Sequence, residues 1–312
     1  MKITPKSDTW MPTQTRSLPA WITSRQGQDI EHLAFSSGAA LAVLDAALSD
    51  VQNAPSVDLW RDRLALDAAV ACLKLGGRIE TLSGMRDAVC LARASDALGP
   101  AGEMFSMWRK AAQINLKARG WQQQVARLLP KQMGPALPAV FSKKGSPVAL
   151  AVHAFSEALH QFPRHETAAL ILADVALARA MGWSHPVPLG ATYLTAADLR
   201  IIVQGGAQAA HRMHGAVIAA CDTGLRRLGD VSRRAAQLNA ITHHLRAKGA
   251  TQAVSVFLRY DAVSPSGMLS PMIKGGSVAM TDRAARRLCE RLVHLGVVRE
   301  LTGRPSFRLY GL

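Results

Sequence analysis

The sequence has few aromatic residues and hardly any alternation of polar and apolar residues before Val297. Phe, Trp and Tyr make up 5% of the 312 residues, whereas apolar residues as a whole make up 49% and are largely Ala and Leu. Ala and Leu favour helices, whereas aromatic and β-branched residues favour strands. The composition therefore excludes a large sheet and predicts a mainly α protein built around a helical bundle.

Cysteine is also scarce, and its four copies are far apart in the sequence and include no CxxC pair. Each lies within an apolar pattern of helical spacing, so we expect Cys72, Cys90, Cys221 and Cys289 to be reduced, buried thiols. The N-terminus has no apolar run of signal-peptide length, and no segment has about 18 uncharged apolar residues in a row. We therefore expect a cytoplasmic protein with no membrane partner.

Motifs that bind cofactors or activate nucleophiles are missing as well. The sequence has no Walker-type phosphate loop, no GxSxG and no dinucleotide-binding glycine pattern after a strand. His211 and His214, like His153 and His160, are spaced to share a helix face, but no carboxylate or Cys accompanies them to complete a metal site. The sequence therefore predicts no cofactor and no metal.

Acidic residues are few, and the resulting charge is unevenly distributed. There are 22 Asp and Glu against 37 Lys and Arg, which gives a formal charge of +15. From Arg226 onward, fifteen basic residues face five acids, and His243 and His244 belong to the same basic stretch. Such a charge indicates a polyanionic partner, either nucleic acid or an acidic membrane surface, although a generally basic surface is the simpler alternative.

Proline, glycine and capping residues divide the chain into three parts: an extended N-terminal arm over residues 1–28, a helical domain over 29–247 and a C-terminal domain over 248–312. The helical periodicity predicts helices over 29–48, 56–76, 148–161, 166–181, 195–203 and 207–225, with another after Thr81 and a separate basic helix ending near 246. The helix over 166–181 is apolar nearly all round, which places it at the centre of the bundle.

The C-terminal domain contains the strongest functional pattern. Thr281 is a good N-cap, Gly296 ends the helix, and apolar residues at helical spacing form one stripe between them. The opposite stripe is strongly basic and consists of Arg283, Arg286, Arg287, Glu290, Arg291 and His294. Arginine neutralises phosphates and pairs with guanine, so this helix is predicted to enter a DNA major groove. The alternative is a solvated basic helix.

Two short strand-like runs follow Gly296 and are joined by a turn that contains Gly303. A helix followed directly by a terminal hairpin is the order of a winged helix-turn-helix with a short β-hairpin. This order puts Arg299 and Arg308 on the strands and Arg304 near the wing tip, where we expect them to contact phosphates. Residues 250–260 supply the first helix, and the second must lie within the Pro- and Gly-bearing stretch 264–280.

Three stretches together resemble a known bacterial family: TRSLPAWITSR with LAFSSGAALAVLD, LWRDRLALDAAVACLKLGGRIETLSGMRDAVCL, and MTDRAARRLCERLVHLGVVRELTGRPSFRLYGL. They are similar to the family catalogued as domain of unknown function 1403, and AALILADVALARAMGW extends the similarity. The resemblance covers nearly the whole chain. It implies a bacterial cytoplasmic protein with a helical N-terminal domain and a C-terminal winged helix, and it supplies no catalytic residues.

A more distant similarity is to helical Fic-type proteins, in which helices also precede a C-terminal winged helix. Their active-site pattern requires an acidic residue after the His and a glycine-rich anion loop that ends in Arg. The segment that starts at His185, HPVPLGA, has neither group. If the scaffold is shared, this chain has lost that chemistry.

The sequence therefore predicts a non-enzymatic DNA-binding protein, a transcriptional or plasmid-linked regulator, whose helical domain provides dimerisation or ligand sensing. The predicted DNA-binding residues are Arg283, Arg286, Arg287, Arg291, Arg299, Arg304 and Arg308. Duplex DNA is the expected partner, together with a second copy of the chain. One alternative is an enzyme with its active site around His185, His211 and His214, in which the winged helix recruits a substrate. A protein-docking module is the other.

Overall fold

The computed structural model describes residues 16–24, 29–51, 54–92, 96–245 and 247–312. Most of the predicted extended arm, residues 1–15 and 25–28, lies outside these described residues. The described part of the arm contains a four-residue helix, α1 (Ala20–Thr23), whose Ile22 is buried. Trp21 stacks on Phe35 with their ring centroids 5.6 Å apart. This segment is therefore held against the body of the protein.

The described residues are mainly helical, which confirms the fold class predicted from the composition. Strand there is limited to the two-residue segments β1 (Arg299–Glu300) and β2 (Tyr310–Gly311). The helices after α1 are α2 (Ile30–Val51), α3 (Ser56–Leu75), α4 (Leu82–Cys90), α5 (Gly99–Ala112), α6 (Trp121–Leu128), α7 (Leu137–Val140), α8 (Pro147–Gln161), α9 (Glu166–Ala180), α10 (Ala196–Gln204), α11 (Gly206–Ile241), α12 (Ala250–Phe257) and α13 (Asp282–His294).

Local capping chemistry explains where several of these helices begin. The Thr81 hydroxyl accepts a hydrogen bond from the Gly84 N–H at the start of α4, at 3.0 Å. At α10, Thr195 and Asp198 form a reciprocal capping box. Such caps satisfy N–H groups that have no partner within the helix. Because these signals are local, the sequence located the starts of α4 and α10 closely.

The helical core is arranged around α9, which is buried on every side from Ala168 to Ala178, as the apolar sequence of this helix predicts. α8 packs along α9, while α2 packs against α11 and α3 against α5. By length and composition alone, α2 is long and apolar enough to cross a membrane. The buried residues of α2 pack against α11, as those of a core helix in a water-soluble fold also do.

The prediction of two helices between residues 207 and 246 is wrong, because α11 runs unbroken for 36 residues. At 1.5 Å per residue it is about 54 Å long. Its isolated Gly229 costs some helix propensity but does not end the helix. Asp230 lies next to this glycine and forms ion pairs with Arg233 and Arg234 one turn later, which stabilises the helix where a break was expected.

The C-terminal region consists of α12, a five-residue turn, α13 and the β1–β2 hairpin. The strands are antiparallel, with Arg299 opposite Gly311 and Glu300 opposite Tyr310. The second helix expected within 264–280 is reduced to a single wide turn at Pro265–Leu269, which the Ser264 hydroxyl caps. Pro271 shortly after this turn lacks the N–H that a continuing helix needs.

A buried ionic network joins this C-terminal region to the helical body. Arg109 binds both carboxylate oxygens of Asp62, at 2.5 and 3.0 Å, and the same carboxylate accepts the backbone N–H of Asp261 at 2.9 Å. The Asp261 carboxylate in turn accepts from Arg63 at 3.1 Å and from Arg86 at 2.6 Å. Burial raises the pKa of Asp62, although Arg109 opposes the change.

Hydrophobic packing crosses the predicted boundary at residue 247 as well. Among the described residues, one cluster of buried side chains runs from Leu18 to Leu312. The Leu312 carbonyl oxygen also accepts from Arg63 Nη2 at 2.6 Å. The end of the chain is therefore anchored on α3, and residues 248–312 share a core with the helical body.

Asp174 has a different role, because it fixes the loop between α9 and α10. Its carboxylate is fully buried, and Oδ1 accepts the N–H groups of Leu189 and Gly190 at 3.3 and 3.1 Å. Oδ2 has no hydrogen-bond partner among the described residues. Burial raises the pKa of Asp174 from 3.8 to about 7, because the charged form is poorly solvated there.

The buried network should be costly to break. Asp261→Ala leaves Arg63 and Arg86 partly buried without their carboxylate, so we expect the free energy of unfolding to fall by about 3–5 kcal/mol. The control is Asp222→Ala, which removes an exposed pair with Arg226 within α11 and should cost less than about 1 kcal/mol. Urea unfolding followed by circular dichroism measures both changes. Equal losses in the two variants would contradict the anchoring role of Asp261.

Asp174 should make stability depend on pH. Between about pH 4 and 7 the folded state keeps the Asp174 proton while the unfolded state loses it, so the free energy of unfolding falls as the pH rises. The difference between 3.8 and about 7 corresponds to an upper limit of roughly 4 kcal/mol. Asp174→Asn keeps the acceptor for both N–H groups and should remove this dependence. Parallel stability profiles of the two proteins in urea titrations from pH 4 to 8 would refute the assignment.

Candidate nucleic-acid interface

α13 forms as the sequence predicts, with a cap at its start and an apolar stripe along its inner face. The Thr281 hydroxyl accepts from the Ala284 N–H at 3.3 Å, and Asp282 occupies the first turn. Leu288 and Leu292 are buried on the inner face, which packs on the turn at Pro265–Leu269. The outer face is consequently left to the charged residues.

Three arginines of α13 line one groove. Arg283, Arg287 and Arg291 follow each other at intervals of four residues, and all three are exposed. The groove has a volume of about 620 Å³, and its opposite wall is formed by the segment after α11, with His244, Leu245 and Ala247. We call this the arginine groove.

Charge in the arginine groove is not neutralised within the described part of the chain, where none of its three arginines has an ion pair. Arg286 differs, because it pairs with Asp282 at 2.7 Å on the same helix. Both members of that pair are exposed, so their interaction is weak and Arg286 remains accessible. Of the predicted site residues, the structure therefore brings together Arg283, Arg287 and Arg291, with Arg286 beside them.

Arg299 lies apart from this groove, on β1 and towards the helical body. Partial burial lowers its pKa, and the nearby positive charges of Arg234 and Arg63 lower it further. Arg299 therefore belongs to a second basic cluster, formed with the end of α11 and with α3. Sequence reasoning could not find this cluster because its members come from distant segments.

Arg304 and Arg308 hold the hairpin loop together. Arg304 binds both oxygens of Asp87 in α4, each at 2.7 Å, and also donates to the carbonyl oxygens of Ser306 and Phe307. Arg308 Nε donates to the Arg304 carbonyl at 3.0 Å while its side chain stays exposed. The hydrogen bond to Asp87 raises the pKa of Arg304. Its guanidinium is thus occupied by the protein itself, which the sequence pattern did not foresee.

The three histidines considered for catalysis do not share one site. His185 lines a cavity of about 290 Å³ with Arg61, Arg109 and Tyr260. Burial lowers the pKa of His185, and the positive charge of Arg61 lowers it further. His211 lines another cavity, of about 490 Å³, on the α2 side of α11.

His214 is buried in α11, and its Nδ1 lies 2.6 Å from the Ser37 hydroxyl. Burial lowers the pKa of His214, and the neighbouring His211 lowers it further. The part of the chain described by the structure holds no group of three His, Cys, Asp or Glu side chains that could bind a metal ion. Nor does it bring His185 into the cavity that His211 lines.

Burial also limits the reactivity of the cysteine thiols. All four cysteines are free, and three of them are buried, as their apolar sequence surroundings predict, whereas Cys90 is half-buried. Burial raises the pKa of Cys72 and Cys90 to about 11, and that of Cys221 and Cys289 to about 12. Because thiolates are the reactive form, these thiols are inert at neutral pH.

Comparison with known proteins agrees with the resemblance noted in the sequence. No curated protein matches the chain. The model of one family, described as protein of unknown function (DUF1403), matches residues 7–312 and so covers nearly all of the chain. The predicted resemblance is thereby confirmed, and the chain belongs to the DUF1403 family.

Proposed function

We propose that this protein is a non-enzymatic DNA-binding protein that contacts duplex DNA through the arginine groove. The observation that carries the proposal is the row formed by Arg283, Arg287 and Arg291, which is exposed and free of ion pairs among the described residues. Four residues of helix rise about 6 Å, so the row extends over about 12 Å. A major groove is about 12 Å wide and admits one helix, which suits α13.

The distribution of acids supports α13 as the contact surface. The arginines in the second half of α11 each have an acidic partner: Arg226 pairs with Asp222, Arg227 with Asp67, and Arg233 and Arg234 with Asp230. The positive charge in this half of α11 is therefore largely neutralised within the fold, whereas that of the arginine groove is not.

The order of elements supports a winged-helix arrangement as the finer form of this proposal. In it α12 is the first helix, the turn at Pro265–Leu269 takes the place of the second, α13 is the recognition helix, and β1–β2 is the wing. The exposed side chains of Arg299 and Arg308 are the proposed phosphate contacts of the wing. Arg304 supports the wing from within, because Asp87 and the loop carbonyls occupy it.

One α13 presents a small reading surface, so a transcriptional or plasmid-linked regulator of this kind needs two copies on adjacent half-sites. We accordingly propose a symmetric homodimer on DNA. Light scattering at micromolar concentration, with and without duplex DNA, should give twice the monomer mass in the complex once the mass of the duplex is subtracted. A monomer mass in both conditions would remove the dimer from the proposal.

DNA binding should be salt-dependent and should depend on the arginine groove. With about six phosphate contacts, the logarithm of the binding constant should fall against the logarithm of salt concentration with a slope near −5. Arg287→Ala should weaken binding to a selected duplex by about 1–3 kcal/mol, since a guanidinium at the groove is lost. Fluorescence anisotropy between 50 and 200 mM salt, about the range over which such contacts are released, measures both effects.

Arg226→Ala is the matched control, because it removes the same charge from an exposed arginine that is paired within α11. Its affinity for DNA should stay close to that of the unchanged protein. If Arg287→Ala and Arg226→Ala bind equally well, or if binding does not respond to salt, the arginine groove is not the contact surface. The duplex for these measurements is chosen from DNA fragments that are recovered with the tagged protein from its host.

A further inference from the structure

Phe307 is held out into solvent at the tip of the hairpin. Its side chain is 72% exposed, whereas Leu309 and Tyr310, which follow it, are buried. Its φ of +52° lies in the left-handed region, which Gly and Asn adopt more readily than an aromatic residue. An exposed aromatic side chain on a left-handed backbone has a conformational cost that no packing of the ring offsets, which makes Phe307 a candidate contact residue.

The conformation of Phe307 is fixed by a clamp from the rest of the protein. Arg304 Nη2 donates to the Phe307 carbonyl at 2.7 Å, and Nε donates to the same oxygen at 3.1 Å. The same guanidinium is bound in a bidentate manner to Asp87 of α4. The backbone that carries the ring is thus attached to the helical body, which holds the hairpin tip in place before any partner arrives.

The surroundings of the ring indicate what kind of partner fits. Arg308 is exposed next to Phe307 in sequence, and the acid of this hairpin, Glu300, accepts hydrogen bonds from Thr302 and Gly303 within the loop. An apolar ring beside a cation matches a base step of a nucleic acid, where the ring stacks on bases and the cation meets phosphate.

We propose that Phe307 is a wedge that inserts between two base pairs in the minor groove and bends the DNA. This inference rests on the proposed DNA-binding function and adds a distinct step to it, since the arginine groove provides affinity and Phe307 deforms the duplex. Partial unstacking of one step kinks a duplex towards the major groove, which lets more of the protein surface meet the DNA. Arg304 is a positioning residue in this scheme.

The test uses the full-length protein and selected duplexes labelled at both ends for energy transfer, with 2-aminopurine at successive positions. The unchanged protein should shorten the end-to-end distance and raise 2-aminopurine fluorescence at one step. Phe307→Ala should abolish both signals and weaken binding by about tenfold, the cost of roughly one stacking contact, with an unchanged salt slope. Phe307→Leu should restore part of the bending, because a smaller apolar wedge remains.

Phe35→Ala is the matched control, because Phe35 is 68% exposed on α2 and its loss also removes an exposed ring. It should leave bending and fluorescence unchanged. Arg304→Lys keeps the charge but cannot hold Asp87 and the Phe307 carbonyl together, so it should reduce both signals without altering the salt slope. Circular dichroism and the melting temperature confirm that each variant is folded.

The outcomes separate this inference from the function on which it rests. Salt-dependent binding without bending or unstacking, or equal bending by Phe307→Ala and the unchanged protein, overturns the wedge and leaves the arginine groove intact. An absence of DNA binding by the unchanged protein overturns both. If Phe307→Ala instead loses only a protein partner while DNA bending persists, the hairpin tip is a protein-docking site and the wedge is rejected.

Discussion

The buried contact of Asp62 with Arg109 and with the backbone of Asp261 determines how the C-terminal region sits on the helices. Both carboxylates are almost fully buried, and charges at such depth are tolerated only when their hydrogen-bonding capacity is met. Arg109, Arg63 and Arg86 meet it from α3, α4 and α5. Moving the loop at Asp261 away from these partners would leave buried charges unpaired, and this cost holds α13 and the hairpin in position on the body.

Two contrasting sets stand out among the arginines of the protein. Those that face the body, such as Arg63, Arg109 and Arg304, are bound to carboxylates and act as structural links. Those of the arginine groove face outward and have no ion pair among the described residues. The net charge of +15 counts bound and accessible arginines together, so it does not show where the accessible positive charge lies. Accessible positive charge is not limited to α13, because exposed basic residues without an ion pair among the described residues, such as Lys143, Arg164 and Arg200, also lie on the helical body. What distinguishes α13 is that three arginines share one groove, and this clustering supports a polyanionic partner more than the total charge does.

Features with a local cause could be predicted from the sequence. The start of α13 at Thr281, its inner stripe and its end at Gly296 all follow from residues within one helix length. The contact between Asp62 and Asp261 joins residues 199 positions apart and leaves no local pattern. The contact of Arg304 with Asp87 could not be predicted for the same reason, because the two residues lie 217 positions apart. Spacing along the chain shows which side chains share a helix face, but not which distant acid will neutralise them.

The simplest alternative, a solvated basic helix, leaves the arginine groove unexplained. Residues four apart on a helix have Cβ atoms about 6 Å apart, and like charges held at that separation repel each other by roughly 0.7 kcal/mol even at the dielectric constant of water. Along α11 the chain relieves such repulsion, because Asp222 and Asp230 lie within one turn of the arginines they pair with. On α13 Asp282 pairs with Arg286, and Glu290, although it lies one turn after Arg286 and Arg287, forms no ion pair with either, so the row has no partner among the described residues. A repulsion that the fold relieves on one helix and retains on the next favours an external anion over a structural role.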